Sequence, residues 1–196
     1  MQTNHFQRIF FTSDLHFGHK NILRYAPEYR PYTSVEQMDQ ALIQLWNQQV
    51  SPHDIVYNLG DFSFHKDVAQ SKKILGRLNG QHHFIYGNHD DQLLTIQQEL
   101  LQEKKADGNP YLSSIQSYLE ITIQTVPTVL FHYPIYEWNN MYRGAFMLYG
   151  HLHRHIAPVE GRLLNVGFDR FGHLLSEHEV VAHLAHLPIR TPPYNT

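Results

Sequence analysis

The run Asp54–Asp90, DIVYNLGDFSFHKDVAQSKKILGRLNGQHHFIYGNHD, decides the fold. Residues 54–59 are a short apolar run that ends at Gly60-Asp61, and residues 82–86 are a second that ends at Gly87-Asn88-His89-Asp90. Between them Val68, Ile74, Leu75 and Leu78 recur at helical spacing over 66–78, and Asn79-Gly80 turns the chain into the second strand. Strands alternating with helices in this succession argue for an α/β layered fold.

The same pattern extends outward. Residues 8–13 (RIFFTS) read as a buried strand ending at Asp14. Thr33-x-x-Glu36 has the form of a capping box before Val35, Met38, Ala41, Leu42, Leu45 and Trp46, which predicts a helix over 34–49 that Ser51-Pro52 stops. Downstream, Leu93, Leu94, Ile96, Leu100 and Leu101 predict a helix over 91–105, and Asp107-Gly108-Asn109-Pro110 is a loop. Leu119, Ile121 and Ile123 alternate with polar residues, as in a half-exposed strand. Further strands are predicted at 128–132, 145–149, 155–159 and 162–166, with Glu160-Gly161 as a hairpin turn between the last two. Ser176-x-x-Glu179 would cap a final short helix, and the tail PIRTPPYNT reads as loose chain. With no repeat, linker or low-complexity segment, residues 1–196 are expected to form one domain.

Composition narrows the classes of function. The chain has 196 residues, 42% hydrophobic and 17% charged, which suits a packed core rather than disorder. It has no cysteine, so disulfides, thiolate metal sites and a cysteine nucleophile are excluded. A net charge of −3 argues against a broad electrostatic grip on long nucleic acid. No apolar stretch is long enough for a membrane span, and the N-terminus has no signal-peptide pattern, so a soluble cytoplasmic protein is expected. Among the 16 histidines, many, such as His5, His53, His178, His183 and His186, fall in no motif and read as ordinary surface or structural residues.

Five segments set carboxylate, amide or imidazole side chains just after a predicted strand. They are Asp14-Leu15-His16, Gly60-Asp61, Gly87-Asn88-His89-Asp90, Phe131-His132 and Gly150-His151-Leu152-His153. In α/β sheets ligands bind in the crevice beyond the carboxyl ends of the strands, where such segments can converge. These donors suit Zn, Mn, Fe or Ni. Asp14-x-His16 and His151-x-His153 each offer two ligands on one side of an extended segment. Taken singly, a D-x-H, a G-D or an H-x-H is common and mostly structural, and Gly-Asn-His-Asp can be a simple turn. The shared placement and order of all five carry the functional reading.

This ordered set resembles the calcineurin-like metallophosphoesterase superfamily from Asp14 to about Asn165. The runs Phe11–Asn21 (FTSDLHFGHKN) and Leu59–Ser63 (LGDFS) are similar to a small, compact branch of predicted phosphoesterases within it. The resemblance implies a four-layer α/β/β/α sandwich with a dinuclear metal site at the carboxyl ends of the strands. It implies that Asp14, His16, Asp61 and His153 bind one divalent ion and that Asp61, Asn88, His132 and His151 bind the other, with Asp61 bridging. Mn is favoured over Fe, Ni or Zn. It also implies that His89 faces the phosphate and that Asp90 orients it. One position departs: many members carry a second Asp three residues after the bridging one, where this chain has Phe64.

The expected reaction is hydrolysis of a small phosphomonoester or phosphodiester, nucleotide-like in size, by a metal-bridging hydroxide, with His89 as proton donor to the leaving oxygen. His19, Lys20, Arg143, Arg154 and Arg170 are candidate phosphate contacts, each equally readable as solvated charge. Asn165 and Asp169 are candidates to support a ligand, and Tyr133–Trp138 to pack the rim or stack a base. A nuclease acting on short oligonucleotides and a non-catalytic scaffold of the same fold are the competing readings. The scaffold is disfavoured because ligands and His89 are retained.

Overall fold

The computed structural model describes residues 7–193. In chain order its elements begin β1 (Ile9–Thr12), α1 (Ile22–Tyr25), α2 (Val35–Gln49), β2 (Ile55–Asn58), α3 (Val68–Leu75), β3 (Gln81–Ile85), α4 (Asp91–Thr95) and α5 (Gln97–Gln102). They continue with β4 (Ser114–Gln116), β5 (Tyr118–Ile123), β6 (Val126–Phe131), a 3-10 turn at Met141–Arg143, β7 (Phe146–Tyr149), β8 (Leu163–Asn165), α6 (Phe168–Phe171), β9 (Leu175–Ser176) and α7 (Glu177–Leu184). Two sheets result, ordered β4-β3-β2-β1-β9 and β5-β6-β7-β8. The first is parallel except for β9, and the second is parallel except for the β5–β6 pair.

Strand alternation explains the layering. Phe10, Val56 and Phe84 face α2 and α3, which bring Met38, Leu42, Trp46, Ile74 and Leu75 onto that side. Their neighbours Phe11, Leu59 and Ile85 face the other way, onto Leu130, Phe146 and Leu148 of the second sheet. Each fully buried side chain of this size contributes about 1.5–3 kcal/mol by leaving water. The outer face of the second sheet, Val129, Met147 and Tyr149, is covered by Trp138 and Met141 from the segment that contains the 3-10 turn. The sandwich of two parallel-rich sheets agrees with the expected fold class, and on this face its outermost layer is mostly loop. Val180 and Leu184 of α7 reach the core between the sheets.

Local differences from the sequence expectation have physical causes. The cap of α2 is Ser34, one residue past the predicted Thr33: Ser34 accepts from Gln37 N, while the Thr33 amide and hydroxyl both donate to Gln37 Oε1 at 2.9 Å. The helix predicted over 91–105 breaks at Ile96 (φ −115°, ψ 19°) into α4 and α5. Thr95 and Ile96 are both β-branched, and Thr95 Oγ1 donates to the Gln92 carbonyl, which competes with helix continuation. Leu93 and Leu100 still reach the core.

Residues 155–159 form no strand, so Glu160-Gly161 joins no hairpin, and β8 pairs in parallel with β7 instead. Asn165 Nδ2 donates to the carbonyls of His153 and His155, and the Ala157 amide donates to Tyr149 Oη, which holds this stretch out of ladder pairing. The Ser176/Glu179 capping box forms as predicted. Residues 188–193 have no helix or strand, and the last three tail residues, 194–196, lie outside the described residues, as do residues 1–6.

Candidate metal centre

The carboxyl ends of β1, β2, β3, β6 and β7 meet at one edge of the sandwich, where the main chain continues past the ladders. Asp14 N donates to Gly60 O at 2.9 Å, His16 N to Asp61 O at 3.1 Å, and Gly150 N to His132 O at 2.9 Å. Seven non-glycine residues among those described have positive φ. Five of them are Asp14 (56°), His16 (52°), Asp61 (55°), His151 (68°) and His153 (50°). Left-handed backbone costs a non-glycine residue of order 1–3 kcal/mol, so the surrounding fold enforces it here, and the strain concentrates on donor residues.

Two groups of donors result. Asp14, His16 and His153 offer ligand atoms within 4.8 Å of one another, and so do Asp61, His132 and His151. Asp61 lies where the groups meet: its Oδ2 is 4.0 Å from His16 Nε2 and its Oδ1 is 3.5 Å from His132 Nε2. Asn88 Oδ1 is 3.2 Å from His132 Nε2. Glycine is required beneath this crowding. A Cβ on Gly150 would lie 2.6 Å from Asp14 Oδ2, and one on Gly87 would lie 2.6 Å from His132 Cε1.

The rings are held with nitrogens to spare. His132 Nδ1 contacts the Leu59 carbonyl at 2.6 Å, so it carries the proton and leaves a lone pair on Nε2. His153 Nδ1 is 2.7 Å from Asp169 Oδ2. Both ring nitrogens of His16 are buried with no hydrogen-bond partner among the described residues. An unsatisfied buried polar atom costs about 1–3 kcal/mol, and a cation at Nε2, the nitrogen near Asp14 and Asp61, would relieve that cost.

Titration behaviour points the same way. Burial pushes Asp14 up to about 7, with the nearby Asp61 carboxylate adding to it against the opposing pull of His153. Burial also raises Asp61. Burial lowers His16 and His151, and takes His132 down to about 4. His153 is raised, chiefly by its bond to Asp169. Crowded buried carboxylates that favour protons, beside three histidines that favour neutrality, form a donor set whose charge a divalent cation balances.

His89 has a side chain 44% exposed, with Nε2 4.0 Å from Asp61 Oδ2. Asp90 does not turn to it. Its buried carboxylate accepts instead from the amides of Asp61, Gly87 and Phe62 at 2.7, 2.7 and 2.9 Å, and so ties two ligand loops together. The His89 ring leans on Phe64 at 4.4 Å between centroids, and Phe64 in turn stacks on His19 at 4.0 Å. The aromatic residue at the departing position thus packs the rings beside the site.

A cavity of about 560 Å³ opens from the first donor group, and His19, His89 and Arg154 line it with Tyr25, Ile22 and Phe64. Lys20, Arg143 and Arg170 are not among its lining residues. Tyr133 packs on His132 and His151, and Trp138 is buried with Nε1 donating to Ala145 O, so this segment packs the rim. A larger cavity, about 660 Å³, lies beside α2 and the 76–79 turn and includes none of the clustered donors.

Two contributors carried little sequence signal. Asp169 stood out only as a polar residue after the last strand, and Arg30 is a lone arginine in an irregular segment. Their burial beside the first donor group distinguishes them.

No protein-family model matches the chain. It is 45% identical to the uncharacterized protein MJ1445 of Methanocaldococcus jannaschii over 85 residues, 43% of this chain, and that match spans 47% of MJ1445, about half its length. It is 27% identical to the Gene 66 protein of Mycobacterium phage D29, over 88% of this chain and 93% of that one. Among solved structures, the protein of unknown function AQ665 from Aquifex aeolicus superposes with a TM-score of 0.66 at 22% identity, covering 90% of this chain and 99% of AQ665, so the two share a fold. Structural neighbours also include YfcE, a phosphoesterase from E. coli, at a TM-score of 0.43 and 16% identity over 82% of this chain and 78% of YfcE. Among the described residues no helix is long and apolar enough to cross a membrane.

Proposed function

We propose that this chain is a metallophosphoesterase that hydrolyses a small phosphomonoester or phosphodiester with two divalent metal ions, Mn favoured over Fe, Ni or Zn. The observation that carries the reading is the pair of three-residue donor groups meeting at Asp61, with the unpartnered His16 ring buried in the first. Asp14, His16 and His153 would hold one ion, and Asn88, His132 and His151 the other, with Asp61 shared. When bound, two such ions supply charge neutralisation on the phosphoryl oxygens and an activated water at neutral pH.

The remaining roles fall to the chain itself. His89, half-exposed at the cavity wall, donates a proton to the leaving oxygen. Arg154 and His19 line the same cavity and hold the phosphoryl oxygens away from bulk water. The cavity volume suits a small organic phosphate. With a net charge of −3, a long nucleic acid is a poor fit and a nucleotide-sized ester a good one.

Metal-stripped protein assayed on a monoester and a diester, with Mn, Ni, Zn, Mg or nothing added, tests this reading beside Asp61→Asn. Turnover that depends on metal and is lost in Asp61→Asn supports it, and turnover indifferent to metal refutes it. Two ions bound with no turnover on any ester would favour the non-catalytic scaffold.

A further inference from the structure

We propose that Arg30, outside every strand-end motif, is the positioning residue that builds the first metal half-site; this rests on the dinuclear reading above. Arg30 is fully buried in the segment before α2. Its Nη2 donates to the Asp14 carbonyl and its Nη1 to the Leu15 carbonyl, both at 2.7 Å. Its Nε donates to Asp169 Oδ1 at 2.6 Å, and Asp169 Oδ2 takes His153 Nδ1 at 2.7 Å. One planar fork therefore reaches all three donors of the first group. It fixes the left-handed backbone at Asp14 and the turn into His16 directly, and it sets the His153 ring through Asp169. The guanidinium also lies over the Phe168 ring, 5.0 Å from its centroid, which fixes the plane of the fork.

Stability alone is a poor reason for this arrangement. Desolvation offsets most of the attraction in a buried ion pair, and apolar replacements are often as stable. Geometry is the better reason, because metal donors tolerate shifts of only about 0.2 Å. A lysine could supply the charge but not three divergent bonds in one plane.

The second group is held by a separate network. His132 is fixed by the Leu59 carbonyl, and the amides of Asp61 and Gly87 are fixed by Asp90. None of these atoms touches Arg30. The two groups still meet at Asp61 and where His151 N donates to Asp14 Oδ2 at 2.9 Å, so damage to the Arg30 network should fall more heavily on the first ion than on the second.

The test uses the full chain with Asp169→Asn, nearly isosteric, and Arg30→Lys. Metal-stripped protein is titrated with Mn²⁺, bound metal per chain is counted after dialysis, and circular dichroism of the metal-free protein reports the fold. The expected result is one ion bound nearly as in the unaltered chain and the other weakened about 10–100-fold, the usual effect of losing a ligand's supporting partner. Both ions retained at unaltered affinity in a folded Arg30 variant, or both weakened equally, overturns the proposal. If Arg30→Lys fails to fold, Arg30→Gln, which keeps one amide donor, takes its place, and Asp169→Asn reports only the His153 arm. If the unaltered chain binds fewer than two ions, the dinuclear reading itself fails, an outcome distinct from failure of the Arg30 assignment.

Discussion

Gly87→Ala adds one methyl group at the meeting point of the two donor groups. The new Cβ would lie 2.4 Å from Asp61 Oδ1, 2.6 Å from His132 Cε1 and 2.8 Å from His132 Nδ1, where real Cβ atoms essentially never come within 3.0 Å. Comfortable contact needs about 3.5 Å, so something must move by on the order of 1 Å. Neither neighbour can swing away freely. Asp61 Oδ1 accepts from the His89 amide, His132 Nδ1 is tied to Leu59 O, and both side chains are buried. A shift of that size far exceeds the roughly 0.2 Å a metal site tolerates. Turnover should fall by about 10²-fold, as for other displacements of about 1 Å at reacting groups, and bound metal should fall with it. Overpacking costs about 1–3 kcal/mol, and each kcal/mol lowers Tm by about 2–4 °C at this chain length. The assay is metal per chain, turnover and Tm, measured beside Gly108→Ala. At Gly108 a Cβ meets nothing within 4 Å but φ is +88°, so that variant should lose stability alone, by about 1–2 kcal/mol. Gly87→Ala with full metal content and turnover within about threefold of the unaltered chain would refute the reasoning.

Three further outcomes follow from the same geometry. His89→Ala should depress turnover about 10²–10⁴-fold while bound metal stays near the unaltered level; equal loss of both, by metal analysis, would make His89 a ligand instead. His82, buried on the far side of the first sheet, is lowered to about 3 by desolvation and then by Lys105. Between about pH 6.5 and 3 the unfolded chain therefore binds a proton at this site that the folded chain refuses. The stability conferred is present above pH 6.5 and is lost as pH falls through that window, with a slope of up to about 1.4 kcal/mol per pH unit. Urea titrations of metal-free protein should show a shallower acid-side slope for His82→Gln, and an unchanged slope would count against this account. Leu148→Ala, fully buried between the sheets, should cost about 2–5 kcal/mol by denaturant titration without changing the number of ions bound.

The sequence by itself determined the donor types and the strand ends that carry them, because alternating apolar runs and the glycines that follow are written locally. It also determined the alternation of strands with helices and the Ser176 cap, whose residues are neighbours in the chain. It misjudged segments where a distant partner overrides local pattern. Asn165 and Tyr149 hold 153–157 out of any strand, and the choice between a hairpin and a parallel crossover before β8 depends on the whole sheet. Only the tertiary structure decided that Asp90 serves backbone amides rather than the His89 ring, and that Phe64 packs that ring. Arg30 and Asp169 stand 139 residues apart and meet at 2.6 Å. No periodicity or spacing encodes such a contact, because it exists only once the segment before α2 has packed against α6 and buried both side chains.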